Sequence, residues 1–300
     1  MFDNNMRCAK GILLFLCFFT LTQDLLAQLN PLKSQYFINS FLINPSKAGA
    51  GERGLVSAGV SSQWNRMPGT PEIKSLTIEA PVSERQGLGV SIMNDKAGLL
   101  NRTVVMGSYS YKVPFSETGS VRFGLAAGYV GDNLNISDAI TPDASSDAAL
   151  VNYNYERQNL FKAGFGATLI LENFEIQSSW FSINHKKDAQ INAIDRPGVT
   201  STLKYTFGDP AAASFSPLFG YRQIAGFSDY IDAGLNFSYK SILDLSVLYH
   251  TNKSITGGFS FDYKQSVRLS CFYNSETPQL RNLSGGTFEM SLGIPFSIRR

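Results

Sequence analysis

Apolar and polar positions alternate along this chain with a period of two. From Thr287 to Ile298 the apolar side chains Phe288, Met290, Leu292, Ile294, Phe296 and Ile298 are interleaved with Thr287, Glu289, Ser291, Gly293, Pro295 and Ser297. A strand turns successive side chains to opposite faces, so this segment is apolar on one side and polar on the other. Its twelve positions exceed a typical soluble strand and suffice to cross a membrane at a tilt. The same alternation sets Val121, Phe123, Leu125, Ala127 and Tyr129 against Arg122, Gly124, Ala126 and Gly128. It sets Phe161, Ala163, Phe165, Ala167, Leu169 and Leu171 against Lys162, Gly164, Gly166 and Thr168. It sets Ile231, Ala233, Leu235, Phe237 and Tyr239 against Asp232, Gly234, Asn236 and Ser238. Period-two segments predict strands at 55–64, 72–82, 87–93, 103–113, 120–130, 158–171, 174–182, 199–207, 214–222, 230–239, 242–249, 255–263, 266–273 and 283–298. The patterns at 72–82 and 214–222 are the weakest. About fourteen strands is an even number, as single-chain bacterial barrels have.

The connections fall into two sets. Those at 83–86, 114–119, 172–173, 208–213, 240–241 and 264–265 are short. The alternate ones, at 65–71, 94–102, 131–157, 183–198, 223–229, 250–254 and 274–282, are on average longer. Short periplasmic turns and long extracellular loops are the pattern of an outer-membrane barrel. The expected fold is therefore all-β: a single outer-membrane antiparallel β-barrel of about 14 strands, with periplasmic termini. Ile294 faces lipid in this reading and Glu289 faces the lumen. Aromatic residues collect at both strand ends, Trp64, Tyr129, Trp180, Tyr249 and Tyr273 above and Tyr111, Tyr205, Phe207, Tyr239, Tyr263 and Phe296 below. Two such girdles mark the membrane interfaces.

The first residues predict a secretory signal peptide over 1–27, with Arg7 and Lys10 ahead of an apolar run and cleavage between Ala27 and Gln28. Cleavage removes Cys8 and Cys17, leaving Cys271 alone on the apolar face of a strand, with no internal disulfide. Residues 28–53 precede the first strand and form an N-terminal segment at the periplasmic mouth or inside the barrel. Asn39, Asn44 and Pro45 are poor strand formers there, which suits docking or plugging. Residues 54–300 form the barrel.

A net charge of +2 and a mean hydropathy of −0.07 resemble those of a soluble protein. A barrel with a polar lumen gives the same average, and no later apolar run is long enough for a spanning helix. The chain carries no GxSxG elbow and no phosphate loop. His185 and His250 fall in predicted extracellular loops, as solvated side chains without metal-ligand spacing. No cofactor, metal, enzymatic activity or nucleic-acid partner is expected; an enzymatic barrel would need a Ser/His or Asp/His pair near one strand end. Gly87 and Gly89 read as glycines on the inward face of a strand. The inward charges Arg122, Lys162, Asp232 and Glu289 pair across the lumen or line a channel. The connection 131–157, with five carboxylates against Arg157, is long enough to bind something, fold into the lumen or stay a surface loop.

Several segments resemble the PorP/SprF family of outer-membrane proteins of the Bacteroidota. Gln35 to Gly49 is similar to that family's opening, through Gln35, Tyr36, Asn39, Asn44, Pro45, Ala48 and Gly49. Gln63 and Trp64 are similar to its N-Q-W, with Ser62 in the first place. Gly87, Leu88, Gly89, Asn94, Asp95 and Gly98 are similar to its G-L-G-x-x-x-x-N-D-x-x-G. Tyr109, Tyr111, Phe123, Gly124 and Gly128 extend the likeness, while Arg299 and Arg300 depart from the family's aromatic ending. The resemblance implies an outer-membrane barrel accessory to type IX secretion and linked to gliding motility. Its implied partners are outer-membrane lipid, type IX secretion components, periplasmic lipoproteins, and a secreted adhesin or similar surface protein with a type IX C-terminal domain. A passive channel or transporter for small solutes is the alternative that any barrel of this width allows.

Overall fold

The computed structural model describes residues 34–63, 70–134, 160–181, 198–225, 228–277 and 285–297. Period-two patterning is realised as strands β1 (Gly54–Gln63), β2 (Glu72–Pro81), β3 (Gln86–Ala97), β4 (Leu100–Pro114), β5 (Gly119–Leu134), β6 (Leu160–Leu171), β7 (Phe174–Phe181) and β8 (Gly198–Tyr205). They continue as β9 (Phe207–Asp209), β10 (Ala213–Ile224), β11 (Tyr230–Tyr239), β12 (Leu243–His250), β13 (Ile255–Tyr263), β14 (Val267–Asn274) and β15 (Thr287–Phe296). Each strand pairs antiparallel with its neighbours, and β1 pairs with β15 from Gly54↔Phe296 to Gln63↔Thr287, so the sheet closes. Closure leaves no sheet edge, the condition for spanning a membrane with strands.

β8 and β9 are two parts of one spanning strand, which makes the barrel fourteen-stranded. Leu218↔Lys204 and Phe215↔Phe207 keep the same register on β10, and the ladder lapses between them, beside Pro217. Proline has no N–H to give to that ladder. On its other side the strand stays paired, the Thr206 N–H donating to the Asn173 carbonyl at 3.0 Å in the register of β7. Pro217 is also why the pattern at 214–222 reads weakly.

The outward face is apolar. On β15, Phe288, Met290, Leu292 and Ile294 are exposed, whereas Thr287 and Glu289 are buried inside. So many exposed large apolar side chains mark a surface made for a non-aqueous neighbour. Cys271 lies on this face, between Phe259 and Met290 of the neighbouring strands. At the short-turn end Phe174, Tyr205 and Phe207 stack edge to face at 4.4 and 4.5 Å.

Two expectations need correction. The connection expected at 94–102 is two residues, Gly98 and Leu99, because β3 and β4 pair as far as Ala97↔Leu100. Above the apolar band both faces are polar, so the period-two signal fades although backbone pairing continues. His250 is the last residue of β12 and fully buried, not a solvated loop side chain. Trp64, His185 and most of 131–157 lie outside the described residues.

Candidate functional site

Residues 34–50 run inside the barrel. A single helical turn α1 (Gln35–Ile38) is followed by 3-10 turns at Ser40–Leu42 and Pro45–Lys47. Short-range turns satisfy the backbone of a segment rich in Asn, Ser and Pro, which no strand ladder would suit. Ser34, Gln35, Asn39, Phe41, Asn44, Ser46 and Ala48 are all buried against the wall.

The segment descends from the long-loop ends of the strands to the short-turn ends. Near the start of β15, Glu289 accepts from the Ser34 hydroxyl and from Gln35 Nε2 at 3.4 Å. Near the start of β11, Asp232 accepts from the Tyr36 hydroxyl at 2.9 Å. Asn39 Nδ2 donates to Thr77 on β2 at 2.8 Å. Asn44 caps the second 3-10 turn, its Oδ1 accepting from Ser46 N at 3.0 Å, as an N-cap side chain does. Its Nδ2 reaches Ala167 O and Gln177 Oε1, each at 3.3 Å. The Ser46 hydroxyl meets Thr168 Oγ1 at 2.7 Å, and Lys47 forms an ion pair with Glu175. The Gly49 N–H donates to Glu79 Oε2 at 2.8 Å.

Glycines on the wall let the segment sit this close. A Cβ at Gly124 would lie 2.2 Å from Ser46 N, and one at Gly166 would lie 2.0 Å from Asn44 Oδ1. At Gly87 it would meet the Ala48 carbonyl at 2.1 Å, and at Gly89 the Phe41 ring at 2.4 Å. Gly49 itself has φ +56°, the left-handed region that side chains disfavour.

At the long-loop side the wall carries a hydrogen-bonded chain across six strands. Arg222 on β10 grips Asp232 on β11 through Nε at 2.8 Å and Nη2 at 3.0 Å. His250 on β12 joins Asp232 Oδ1 at 2.5 Å to Thr256 Oγ1 at 2.7 Å. Thr256 on β13 donates to Asn274 Oδ1 on β14, whose Nδ2 donates to Glu289 on β15 at 2.6 Å. The Asp–His–hydroxyl order is that of a nucleophilic triad. Here Asn274 holds the Thr256 proton, and Asp232, His250, Thr256 and Asn274 are fully buried. What the arrangement does is tie strands together and hold Ser34 and Tyr36 at its two ends.

Electrostatics follow from enclosure. Burial lowers the Lys47 pKa below its ordinary 10.5, against the opposing pull of Glu175. Burial likewise raises the Tyr36 hydroxyl pKa above its ordinary 10.0, with Arg222 opposing.

Of the motif positions read from sequence, Gln35, Tyr36, Asn39, Asn44, Pro45, Gly49, Gly87 and Gly89 come together at this contact between segment and wall. Asn94, Asp95 and Gly98 lie elsewhere, at the β3–β4 turn. There Asn94 Nδ2 bonds Asn101 Oδ1 at 2.6 Å, Asp95 stands opposite Arg102, and Gly98 turns the chain at φ +59°. Gln63 ends β1, its N–H bonded to Pro71 O at 3.0 Å. Ala27, Gln28 and Trp64 fall outside the described residues. Sequence reasoning missed His250 and Thr256. Ser246, Leu248 and His250 continue the inward period of β12, the one signal that could have placed the histidine.

The model of the family described as "Type IX secretion system membrane protein PorP/SprF" matches residues 25–294. The chain belongs to the PorP/SprF family. No curated protein matches it. Among solved structures, this PorP/SprF chain is similar to the CymD monoaromatic hydrocarbon channel at 12% identity and TM-score 0.53, covering 87% of this chain and 93% of that one. It also matches the Acinetobacter baumannii outer membrane protein Omp33 at 11% identity and TM-score 0.46, covering 83% and 100%. The KdgM porin matches at 10% identity and TM-score 0.41, covering 82% and 99%. At such identity the likeness to CymD shows the fold alone. Family and fold together make this PorP/SprF member a type IX secretion-associated barrel, integral to the outer membrane.

Proposed function

We propose that the barrel supports the secretion or surface attachment of a partner adhesin, or another substrate with a type IX C-terminal domain, in a role linked to gliding motility. The observation that carries this reading is the occupied lumen. A segment held by wall hydrogen bonds from Glu289 to Glu79 suits an accessory or anchoring barrel better than a conduit for solutes. In this reading residues 1–27 are removed after Ala27, and 28–53 form the docking segment. The short turns and the C-terminal end of β15 face the periplasm, where the barrel meets the lipoproteins of the secretion system.

Deleting the whole chain should strip one or a few large proteins from the cell surface. Replacing Gln35–Gly49 with a Gly/Ser tract should give the same loss while a folded barrel stays in the membrane. An unchanged surface proteome with lowered small-solute uptake would overturn the proposal in favour of a channel. Orientation is read separately in a Cys271→Ser background. Asp143→Cys or Asn192→Cys should react with an impermeant maleimide on intact cells, and Glu117→Cys should not; the reverse pattern would invert the topology.

A further inference from the structure

The short-turn mouth of the barrel holds a polar cavity of about 400 Å³ beside the Gly49–Gly54 linker. Its charged lining is Arg53, Lys112 and Arg122 against Glu52 and Glu84. Lys112 and Arg122 stand directly opposite each other on β4 and β5, both half-buried and on the inward face. Like charges placed so are destabilising unless an anion lies between them.

The neighbouring carboxylates are otherwise engaged. Glu175 takes Lys47 and Lys204, and Glu79 accepts from Gly49 N. Arg122 Nη1 donates to the Ser110 hydroxyl at 3.0 Å, which itself donates to Ala48 O. Neither Lys112 nor Arg122 forms an ion pair with a carboxylate among the described residues. Lys47, itself paired with Glu175, lies near enough to Arg122 to feel its charge. Glu52 and Glu84 are exposed at the rim. The inner wall of this mouth thus presents a preformed pair of cations with no counter-charge in contact.

We propose that the Lys112–Arg122 pair is a carboxylate-recognition site that takes an acidic peptide segment of a partner entering from the short-turn side. A guanidinium and an ammonium side by side supply several donors to carboxylate oxygens. Both side chains point into the lumen and not toward the lipid face, so a phospholipid headgroup in the surrounding bilayer does not reach them. The site stands on this geometry and not on the secretion reading, and a test on purified protein reads it independently of any surface proteome.

The experiment titrates fluorescein-labelled pentaglutamate into the mature, refolded chain in neutral detergent at low salt and follows anisotropy. Saturable binding should weaken roughly tenfold or more in Lys112→Gln/Arg122→Gln, weaken with added salt, and stay unchanged in Lys240→Gln. Equal affinity in the double variant, or no saturable binding to the native chain, would overturn the proposal. Competition by inorganic phosphate or by anionic lipid vesicles as effective as that by unlabelled peptide would also overturn it, by assigning the pair to phosphate. If the double variant does not refold, judged by heat-shifted migration on a gel, Lys112→Arg should keep the affinity that Lys112→Gln loses. Equal affinities for those two variants would sink the assignment.

Discussion

The closeness of the segment to its wall makes Gly124→Ala a sharp perturbation. The added methyl would lie 2.2 Å from Ser46 N and 2.3 Å from the Pro45 carbonyl carbon, both backbone atoms that cannot swing aside. Restoring an ordinary 3.4 Å contact moves the Pro45–Ser46 backbone by about 1.2 Å. That shift would carry the Ser46–Thr168 contact from 2.7 Å to about 3.9 Å, past hydrogen-bonding reach. The Asn44 bonds to Ala167 and Gln177, already 3.3 Å long, would go with it. At about 0.5–1.5 kcal/mol per bond, the seat weakens by about 3 kcal/mol, which raises the detached fraction roughly a hundredfold. The assay is limited trypsin digestion in detergent. Lys47 is buried against Glu175 and should resist cleavage in the native chain, whereas Gly124→Ala should be cut there while the barrel keeps its heat-shifted gel migration. Cleavage tracks the open population when reclosing is fast. Gly107→Ala, whose methyl would meet nothing nearer than 3.9 Å, is the control. Unchanged protection of Lys47 in a folded Gly124→Ala barrel would refute the seat against β5.

Leu292→Arg puts a charge on the lipid face, at about 2–4 kcal/mol near the bilayer midplane, and should impair assembly more than the inward Ser291→Arg; equal yields would reverse the faces. Glu175→Gln strands Lys47 and Lys204 without their shared carboxylate and should destabilise the protein by about 3–5 kcal/mol, whereas Lys47→Met leaves Glu175 paired with Lys204 and should be milder; urea midpoints of the two variants check the order, and equal midpoints would count against the shared pairing. Because burial raises the Tyr36 pKa, the seat contributes no Tyr36-linked pH dependence below 10.0 and loses stability as pH rises above it; Tyr36→Phe should flatten that alkaline arm in a pH series of urea midpoints, and an unchanged arm would count against the burial.

The walls of this protein were legible residue by residue. Alternation along a strand is a local rule, so Phe288 to Ile294 outward and Glu289 inward follow from the sequence wherever one face meets lipid. The rule fails where both faces are polar. That is why Asn94–Ala97 reads as a loop although β3 continues through it. Pro217 weakened one strand for a different local reason, a missing N–H, which register on both sides overcame.

The interior followed no such rule. Tyr36 meets Asp232 from 196 positions away and Ser34 meets Glu289 from 255, and no period along the chain encodes either meeting. The sequence could mark 35–49 as unfit for a strand, through Asn39, Asn44 and Pro45. Barrel closure alone decided that this segment would find Thr77 on β2, Thr168 on β6, Glu175 on β7, Asp232 on β11 and Glu289 on β15. The physical reason is enclosure. Inside a closed ring a polar group can pair only with what the ring brings opposite it, and that set is fixed by strand count and register, not by neighbours in the chain.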